Sequence, residues 1–395
     1  EKRKKETIKV LDPACGARKF LVYAFDVIYK LYKIEYSNWT ENLIIESILK
    51  NNIFGVDIQR EPLQITAINL WLKAKKKSQD VRIQNLNLFN MNILKANSLY
   101  RWENDQEEII QLSLFQTDIE LTEKIYTAED IGQYISAQAF IAKKEARIFF
   151  RNKFNIIVMN PPFVDARKMD SITSEFLKSE YPNNSRNLFS AFIERSIELV
   201  SKKGLIGFIS SDTFMYLGSF DKTRAMILRE TAIKTILTLG RSVFEGPTVD
   251  ASISIFEKGG YKSRQILCSN LTRALNCLEK KKDVITVAIA QSEKYEIDQS
   301  KFRKIISYPF LYDISDEIRS IFAKSKYLGV DELSPATIKA GMQTGKNEKY
   351  LYKKWQLPKE LIGTQFYPYA KGGGFSKYSN DLFDYIDWRD NAKIH

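Results

Sequence analysis

Short apolar runs recur along the first 260 residues and alternate with longer segments in which apolar residues return at helical spacing. The short runs are rich in β-branched residues and predict strands, whereas the longer segments predict helices. Because strands that alternate with helices form a parallel sheet covered on both faces, the pattern predicts a doubly wound α/β fold. The predicted strands cover residues 8–12, 53–57, 91–96, 154–158, 205–209, 233–239 and 251–256. The predicted helices cover about residues 19–33, 41–50, 62–72, 188–200 and 218–230.

Three stretches depart from this alternation. The strands at 233–239 and 251–256 leave little room between them for a helix, which predicts an antiparallel hairpin at the edge of the sheet. The polar segment at about 103–150 lacks turn residues and is expected to be a helical insertion. Residues 164–186 are polar and rich in turn formers, and we expect a mobile loop there.

The periodicity weakens after Gly259 and Gly260, which predicts a domain boundary near residue 260. We therefore expect one α/β domain over residues 1–260. Residues 261–395 are expected to form a linker and a smaller α+β region.

Polar residues stand where the predicted strands end, namely Asp12, Asp57, Asn97 and Asn160. Ligands of open α/β sheets bind at the carboxyl ends of the strands, so these side chains are expected to converge. The small residues from Asp12 to Gly16 let the backbone approach a ligand closely, and Asp57 is the kind of residue that pairs two ribose hydroxyls. Taken singly, each acid is explained equally well as a helix cap or a solvated turn.

The segment from Asn160 to Phe163 follows a buried strand with two prolines, so the chain leaves the strand in a rigid, extended form. Asn160 can donate and accept hydrogen bonds, and Phe163 offers an aromatic face. These groups suit a planar base that carries an exocyclic amine. The alternative is an ordinary Asn-Pro turn with Phe163 in the core.

The net charge, the length of the apolar runs and the cysteine and histidine content favour some classes of protein and argue against others. The net charge is +12 and the pI is about 9.2, which favours a polyanionic partner. No apolar run approaches the roughly 20 residues that a membrane helix needs, so we expect a cytoplasmic protein without a membrane partner. Cys15, Cys268 and Cys277 lack metal-ligand spacing and His395 is the single histidine, which argues against zinc, disulfides and a catalytic histidine.

Asp12-Pro13-Ala14-Cys15-Gly16 with Phe20, followed by Asn160-Pro161-Pro162-Phe163, resembles the paired signature of amino-group adenine-N6 DNA methyltransferases. The resemblance is closest to the PglX-type methyltransferases of BREX phage-defence systems, and next to the type IIG (Eco57I-like) restriction-modification enzymes. Further stretches that resemble this family are Phe20–Asp26, Leu70–Ala74, Asn187–Phe189, Phe192–Arg195, Ser219–Lys222, Gln343–Asn347 and Lys371–Phe375.

The resemblance implies a Rossmann-like enzyme that uses S-adenosylmethionine and flips an adenine out of double-stranded DNA. It implies that Asn160 and the Pro161 carbonyl accept hydrogen bonds from the adenine amino group, that Pro162 completes the catalytic motif, and that Phe163 stacks on the flipped base. The residues implied to hold the cofactor are Asp12, Pro13, Ala14, Gly16, Phe20, Asp57, Ile58, Asn97, Ser98, Asn187 and Phe189.

The chain departs from the family pattern after Gly16, where the family continues with Ser-Gly and one further residue before the phenylalanine. Here the residues are Ala17, Arg18 and Lys19, followed by Phe20. The missing glycine is where the family's backbone passes close to the cofactor, so either cofactor binding is weak or lost, or the turn is rearranged. A catalytically impaired module that binds DNA or a partner protein is therefore an alternative. A further alternative keeps the reaction but takes RNA or a protein glutamine as substrate.

The family places target recognition in its C-terminal part, and we expect residues 261–395 to contain an incomplete recognition domain. Lysines interleaved with aromatic residues there suit contacts with phosphates and stacking on bases. A solvated basic face over a local aromatic core explains the pattern as well. Double-stranded DNA is the expected partner, with other phage-defence proteins as further candidates. The residues expected to contact DNA are Arg167, Lys168, Lys346, Lys349, Lys353, Lys371 and Lys377.

Overall fold

The structure is a computed structural model. It divides into two compact units, residues 1–324 and residues 325–395. None of the helices in the parts of the chain that it describes is both long and apolar enough to span a membrane. The described residues are 7–16, 20–78, 91–102, 144–241, 250–259, 265–272, 275, 284–324, 347–370 and 384–389.

Five parallel strands form the half of the sheet that carries the predicted site. They lie in the order β3-β2-β1-β4-β5, so the chain reverses direction across the sheet between β1 and β4. This reversal is the topological switch point at which open α/β sheets bind their ligands. The parallel pairing confirms the prediction from the sequence. The strands are β1 (Val10–Asp12), β2 (Ile53–Asp57), β3 (Asn92–Lys95), β4 (Phe154–Met159) and β5 (Val200–Ser211).

Four further strands continue the sheet: β6 (Thr231–Gly240), β7 (Ala251–Lys258), β8 (Gln265–Asn270) and β9 (Lys294–Asp298). Strand β7 lies between β5 and β6 and is antiparallel to both, which confirms the predicted antiparallel hairpin. Its placement at the edge was wrong, because β8 pairs with β6 and β9 pairs with β8.

Two hydrophobic clusters lie on opposite faces of β1 and β2, and successive residues of these strands alternate between them. Val10 and Ile53 pack with one cluster, whereas their neighbours Leu11 and Phe54 pack with the other. This alternation is what a strand buried on both faces requires. The helices of the first unit are α1 (Phe20–Glu35), α2 (Glu41–Ser47), α3 (Arg60–Lys77), α4 (Ser171–Glu180), α5 (Leu188–Leu199), α6 (Asp221–Glu230), α7 (Val284–Gln291) and α8 (Asp316–Lys324).

The domain boundary expected near residue 260 lies inside the first compact unit, which continues to Lys324. Strands β8 and β9 follow that boundary and extend the sheet, and Phe302 and Phe310 are buried in its core. The chain after residue 260 thus continues the first sheet, and the second unit begins at Ser325. Of the expected insertion, residues 103–143 lie outside the described residues, and residues 144–150 are helical.

The loop expected over residues 164–186 contains the helix α4. The Asp170 side chain accepts a hydrogen bond from the Thr173 backbone N–H at 2.8 Å, which satisfies a donor that the first helical turn leaves unpaired. Leu177 is the buried residue of this helix. The polar sequence concealed α4 because a single buried position gives no amphipathic stripe.

The second unit is a small α+β region, as predicted. Its described strands β10 (Leu351–Lys353), β12 (Asp384–Asp387) and β11 (Phe366–Pro368) form an antiparallel sheet in that order. A short helix, α9 (Asn347–Tyr350), precedes β10.

Candidate functional site

A cavity of about 660 Å³ opens at the carboxyl ends of the parallel strands. It is lined by residues that follow β1, β2, β3 and β4, so the four predicted strand ends do converge. The sequence-predicted residues that line it are Pro13, Ala14, Gly16, Asp57, Ile58, Asn97, Ser98, Asn160 and Pro162.

The turn after β1 is held by two acids and by a backbone hydrogen bond to β2. Asp12 is 1% exposed, and its Oδ1 accepts a hydrogen bond from the Ala14 backbone N–H at 3.1 Å. The Cys15 N–H donates to the Val56 carbonyl at 3.0 Å. Gly16 has a φ of +50°, a value that glycine adopts without strain, and its N–H donates to Asp57 Oδ2 at 2.9 Å. The turn therefore presents backbone rather than bulky side chains to the cavity.

Asp57 ends β2 with both carboxylate oxygens engaged, since Oδ1 accepts a hydrogen bond from the Gln59 N–H at 2.9 Å. A carboxylate offers about four lone-pair positions, so this one can accept further bonds from neighbouring hydroxyl groups. The next residue, Ile58, is 64% exposed although it is apolar, and it lines the cavity. The Asp57 carboxylate and the apolar Ile58 side chain are thus adjacent at the edge of the cavity.

The segment after β3 forms the facing wall. Ser98 is buried, and its hydroxyl donates to the Pro13 carbonyl at 2.6 Å, which joins this segment to the turn after β1. Asn97 is exposed, and its Oδ1 accepts from the Leu99 N–H at 3.0 Å. The Trp102 indole N–H donates to the Asn97 carbonyl at 2.9 Å.

The segment after β4 brings Asn160 to the cavity. Asn160 is partly buried, Pro161 is buried and Pro162 is exposed. Among the residues that the structure describes, none hydrogen-bonds the Asn160 side chain, so its carbonyl and amino groups remain available to a ligand. Phe163 is partly buried and meets the Phe189 ring edge-on, with 6.3 Å between the ring centroids and 87° between the planes.

Some predicted residues support the cavity rather than line it. Asp12 lies beneath the turn, and Phe20 begins α1. Asn187 caps α5, where its Oδ1 accepts from the Phe189 N–H at 3.3 Å. Phe189 is 1% exposed and stacks on Phe220 in the core. Their predicted roles toward a cofactor stay predictions.

The sequence did not identify the wall that α4 contributes. Ile172, Thr173 and Phe176 of this helix line the cavity, and Ile172 is 79% exposed. The signal that could have found them is the Asp170 cap, followed by apolar residues four apart. Further lining residues that were not predicted are Gln59, Ala96, Leu99, Tyr100, Trp102 and Phe192.

The pKa values of Cys15 and Asp212 are raised, which bears on the reactions that these side chains can take part in. Burial, with added repulsion from Asp12 and Asp57, raises the pKa of the Cys15 thiol, so Cys15 is a protonated structural residue rather than a nucleophile. Burial and the nearby Asp250 also raise the pKa of Asp212, which follows β5. In the described parts of the chain, no three His, Cys, Asp or Glu side chains are grouped to hold a metal ion.

The residues expected to contact DNA belong to both units of the chain. Arg167 and Lys168 are exposed, and Arg167 pairs with Asp165 at 2.9 Å. In the second unit Lys353 pairs with Asp384 at 2.7 Å, and Lys349 lies over the Tyr350 ring at 4.9 Å. Their contact with DNA stays a prediction. Lys346, Lys371, Lys377 and the unusual residues Ala17, Arg18 and Lys19 lie outside the described residues.

Known proteins match this chain across the site. The profile of the Eco57I restriction-modification methylase family matches residues 51–244. The chain is 24% identical, over 99% of its length, to the adenine-specific methyltransferase PglX of Lacticaseibacillus casei (strain Zhang). It is 22% identical, over 94% of its length, to the adenine-specific methyltransferase BrxX of Escherichia coli O9:H4 (strain HS). The chain is related to the PglX-type and Eco57I-like methyltransferases. It spans about a third of the length of these two relatives, 36% of PglX and 35% of BrxX.

A solved structure has a fold similar to that of this chain. The type IIL restriction-modification enzyme MmeI, in complex with DNA, aligns with 99% of this chain and 46% of its own chain, with a TM-score of 0.54 and 16% identity. At that identity the likeness shows the fold alone. The fold is the Rossmann-like methyltransferase sheet that the sequence predicted.

Proposed function

We propose that this chain is the catalytic core of an adenine-specific DNA methyltransferase that takes its methyl group from S-adenosylmethionine. The observation that carries the proposal is the meeting of Asp57, Ile58 and Asn160 in one cavity at the switch point of the sheet. Its relatives PglX and BrxX are named adenine-specific methyltransferases, which supports the same reaction here.

The residues present fit the cofactor. The cavity of about 660 Å³ is of the size that small-molecule sites have, roughly 300–1,000 Å³. Asp57 would accept the two ribose hydroxyls, and the exposed Ile58 side chain would pack against the adenine ring. Asn97 and Ser98 would lie beside that ring, and the turn from Pro13 to Gly16 would hold the methionine part.

S-adenosylmethionine supplies a methyl group on a positively charged sulfur. The protein's task is to make the amino nitrogen of the target adenine nucleophilic, because its lone pair is delocalised into the ring. The Asn160 side-chain carbonyl and the Pro161 backbone carbonyl would accept its two N–H bonds, which draws the nitrogen toward sp³ geometry. Positioning and charge stabilisation carry such a step without a histidine.

The substrate we propose is adenine in double-stranded DNA. A base inside a duplex cannot reach a recessed pocket, so the adenine would be flipped out and would stack on Phe163. The chain's net charge of +12 suits a polyanion, and MmeI was solved with DNA bound. The match to the Eco57I restriction-modification methylase family supports a role in restriction-modification. The resemblance to the PglX-type methyltransferases supports a role in BREX phage defence, where other defence proteins would be its partners.

A second candidate function follows from Arg18, which stands where the family has a glycine. A chain that cannot bind the cofactor would serve as a methyltransferase-fold module that binds DNA or a partner protein. The two candidates differ in one measurable property, which is cofactor binding.

Calorimetry with S-adenosylmethionine and transfer of labelled methyl groups to duplex DNA test the proposal. We expect saturable cofactor binding and N6-methyladenine in the product, with Asn160→Ala keeping the cofactor affinity while losing transfer. Absence of cofactor binding would favour the second candidate. Methyl transfer that survives Asn160→Ala would overturn the mechanism.

A further inference from the structure

The cavity wall between Asn97 and Trp102 is irregular backbone, yet its carbonyls are held by buried side chains from elsewhere in the fold. Arg195 of α5 is fully buried, and its guanidinium donates to the Ser98 carbonyl at 3.0 Å and to the Tyr100 carbonyl at 3.3 Å. Between them, the Tyr181 hydroxyl donates to the Leu99 carbonyl. Ser98, Leu99 and Tyr100 all line the cavity.

The side chains of Arg195 and Tyr181 are themselves held in position by further contacts. The third guanidinium nitrogen of Arg195 pairs with Glu198 at 3.0 Å. Arg101, in the wall itself, pairs with the same Glu198 at 2.6 Å and lies over the Tyr181 ring at 4.5 Å. Burial raises the pKa of Tyr181, so its hydroxyl stays a donor.

The same contacts connect the wall to α4. Arg101 donates to the carbonyl and to the carboxylate of Glu180, each at 3.0 Å, at the end of the helix that carries Ile172 and Phe176 into the cavity. A planar guanidinium can satisfy several acceptors in fixed directions, which a lysine cannot do. Arg195 and Tyr181 thus bond three successive carbonyls of the wall, those of Ser98, Leu99 and Tyr100.

We propose that Arg195 and Tyr181 are positioning residues for the adenosine end of the cofactor, through the carbonyls of Ser98, Leu99 and Tyr100. The inference rests on the proposed function, since it names residues that shape the cofactor site without lining it. It also gives a role to Arg195, part of the Phe192–Arg195 stretch that the proposed chemistry leaves unused.

Tyr181→Phe is the sharpest test, because it removes one hydroxyl and keeps the ring beneath Arg101. We expect the dissociation constant for S-adenosylmethionine to rise about tenfold, as for a buried carbonyl that loses its donor. The factor should be the same for 5′-methylthioadenosine, which has the adenosine end and lacks the amino acid. Hydrogen exchange should quicken in residues 97–102. Arg195→Lys should act in the same direction.

Tyr32→Phe is the matched control. Tyr32 is also fully buried, and its hydroxyl bonds to Ser47 and Asn52 at 3.0 Å, away from the cavity. It should lower the melting temperature about as much as Tyr181→Phe while leaving the cofactor affinity within twofold of wild type. An equal loss of affinity in both variants would overturn the inference, as would unchanged affinity in Tyr181→Phe. If the wild-type chain binds no cofactor, the proposed function fails and the exchange measurement decides: unchanged protection of residues 97–102 in Tyr181→Phe would then overturn the positioning role.

Discussion

The backbone N–H of Gly16 donates a hydrogen bond of 2.9 Å to Oδ2 of Asp57, so the end of β2 holds the turn that follows β1. Gly16 reaches this position with a φ of +50°. The Asp57 carboxylate therefore stabilises the turn after β1 without any ligand. Its remaining lone pairs are the ones we assign to the ribose hydroxyls.

Asp57→Asn tests this double role. In asparagine an NH₂ group replaces one of the two carboxylate oxygens. This donor would face another donor, either the Gly16 N–H or the Gln59 N–H, so one hydrogen bond is lost. Charge-assisted hydrogen bonds contribute about 1.5–3 kcal/mol, so we expect cofactor affinity to fall by roughly 10- to 100-fold. Calorimetry gives the affinity, and thermal unfolding without ligand should show a lower melting temperature.

Asp26→Asn is the control for that change. Asp26 is a partly exposed acid of α1 whose carboxylate pairs with Lys73 at 2.5 Å, and it does not line the candidate site. Its substitution should leave the affinity for S-adenosylmethionine unaltered. Equal affinities for wild type and Asp57→Asn would remove Asp57 from the cofactor site.

Arg18→Gly restores the residue that the resembling family has after the Asp-Pro-Ala-Cys-Gly motif. Glycine permits a close approach of the backbone to a ligand, and arginine does not. We expect the variant to bind S-adenosylmethionine more tightly than wild type, by tenfold or more. Lys19→Gly is the control, because it also replaces a basic residue with glycine, at a position where the family pattern does not require one. Equal gains from both substitutions would show that chain flexibility or charge, rather than the family's glycine, limits binding.

The sequence was sufficient for the parts of the site that stand at strand ends. Asp12, Asp57 and Asn160 each stand at the end of a short apolar run that predicts a strand. Because parallel strands bring their carboxyl ends together, the sequence predicts that these residues lie at one edge of the sheet. The wall from α4 was missed because Leu177 is its buried residue and the remaining positions read as a polar loop. The roles of Arg195 and Tyr181 could not be predicted, because their partners lie 82 to 97 residues away along the chain.

Two glycines of β5 should respond oppositely to alanine. A Cβ at Gly204 would lie 2.8 Å from the Asn155 backbone oxygen and 2.6 Å from Val200 Cγ2, beside the irregular pairing of β4 and β5. Backbone cannot give way cheaply, so Gly204→Ala should lower the free energy of unfolding by about 1–3 kcal/mol. At Gly207 a Cβ would meet nothing within 4 Å.

Gly207→Ala is therefore the matched control in the same strand. Alanine removes conformational freedom from the unfolded chain, so this variant should be neutral or slightly more stable. Urea unfolding of both variants measures the difference. A Gly204→Ala protein as stable as wild type would show that the strands pack less closely at Asn155 than the structure indicates.

Asp212→Asn should stabilise the protein in a manner that depends on pH. Burial and the neighbouring Asp250 raise the pKa of Asp212 above its ordinary value of 3.8, so the folded state holds this proton more tightly than the unfolded state. The resulting stability is present below pH 3.8 and is lost as the pH rises through the raised pKa. Asparagine carries no charge, so the variant should be more stable than wild type at pH 8, by a margin that shrinks as the pH is lowered toward 4.

Asp165→Asn should behave oppositely, because the hydrogen bond from Arg167 lowers the pKa of Asp165 and favours its charged form. Melting temperatures of the three proteins between pH 4 and pH 8 test this, and a margin for Asp212→Asn that is constant across that range would contradict the assigned ionisation.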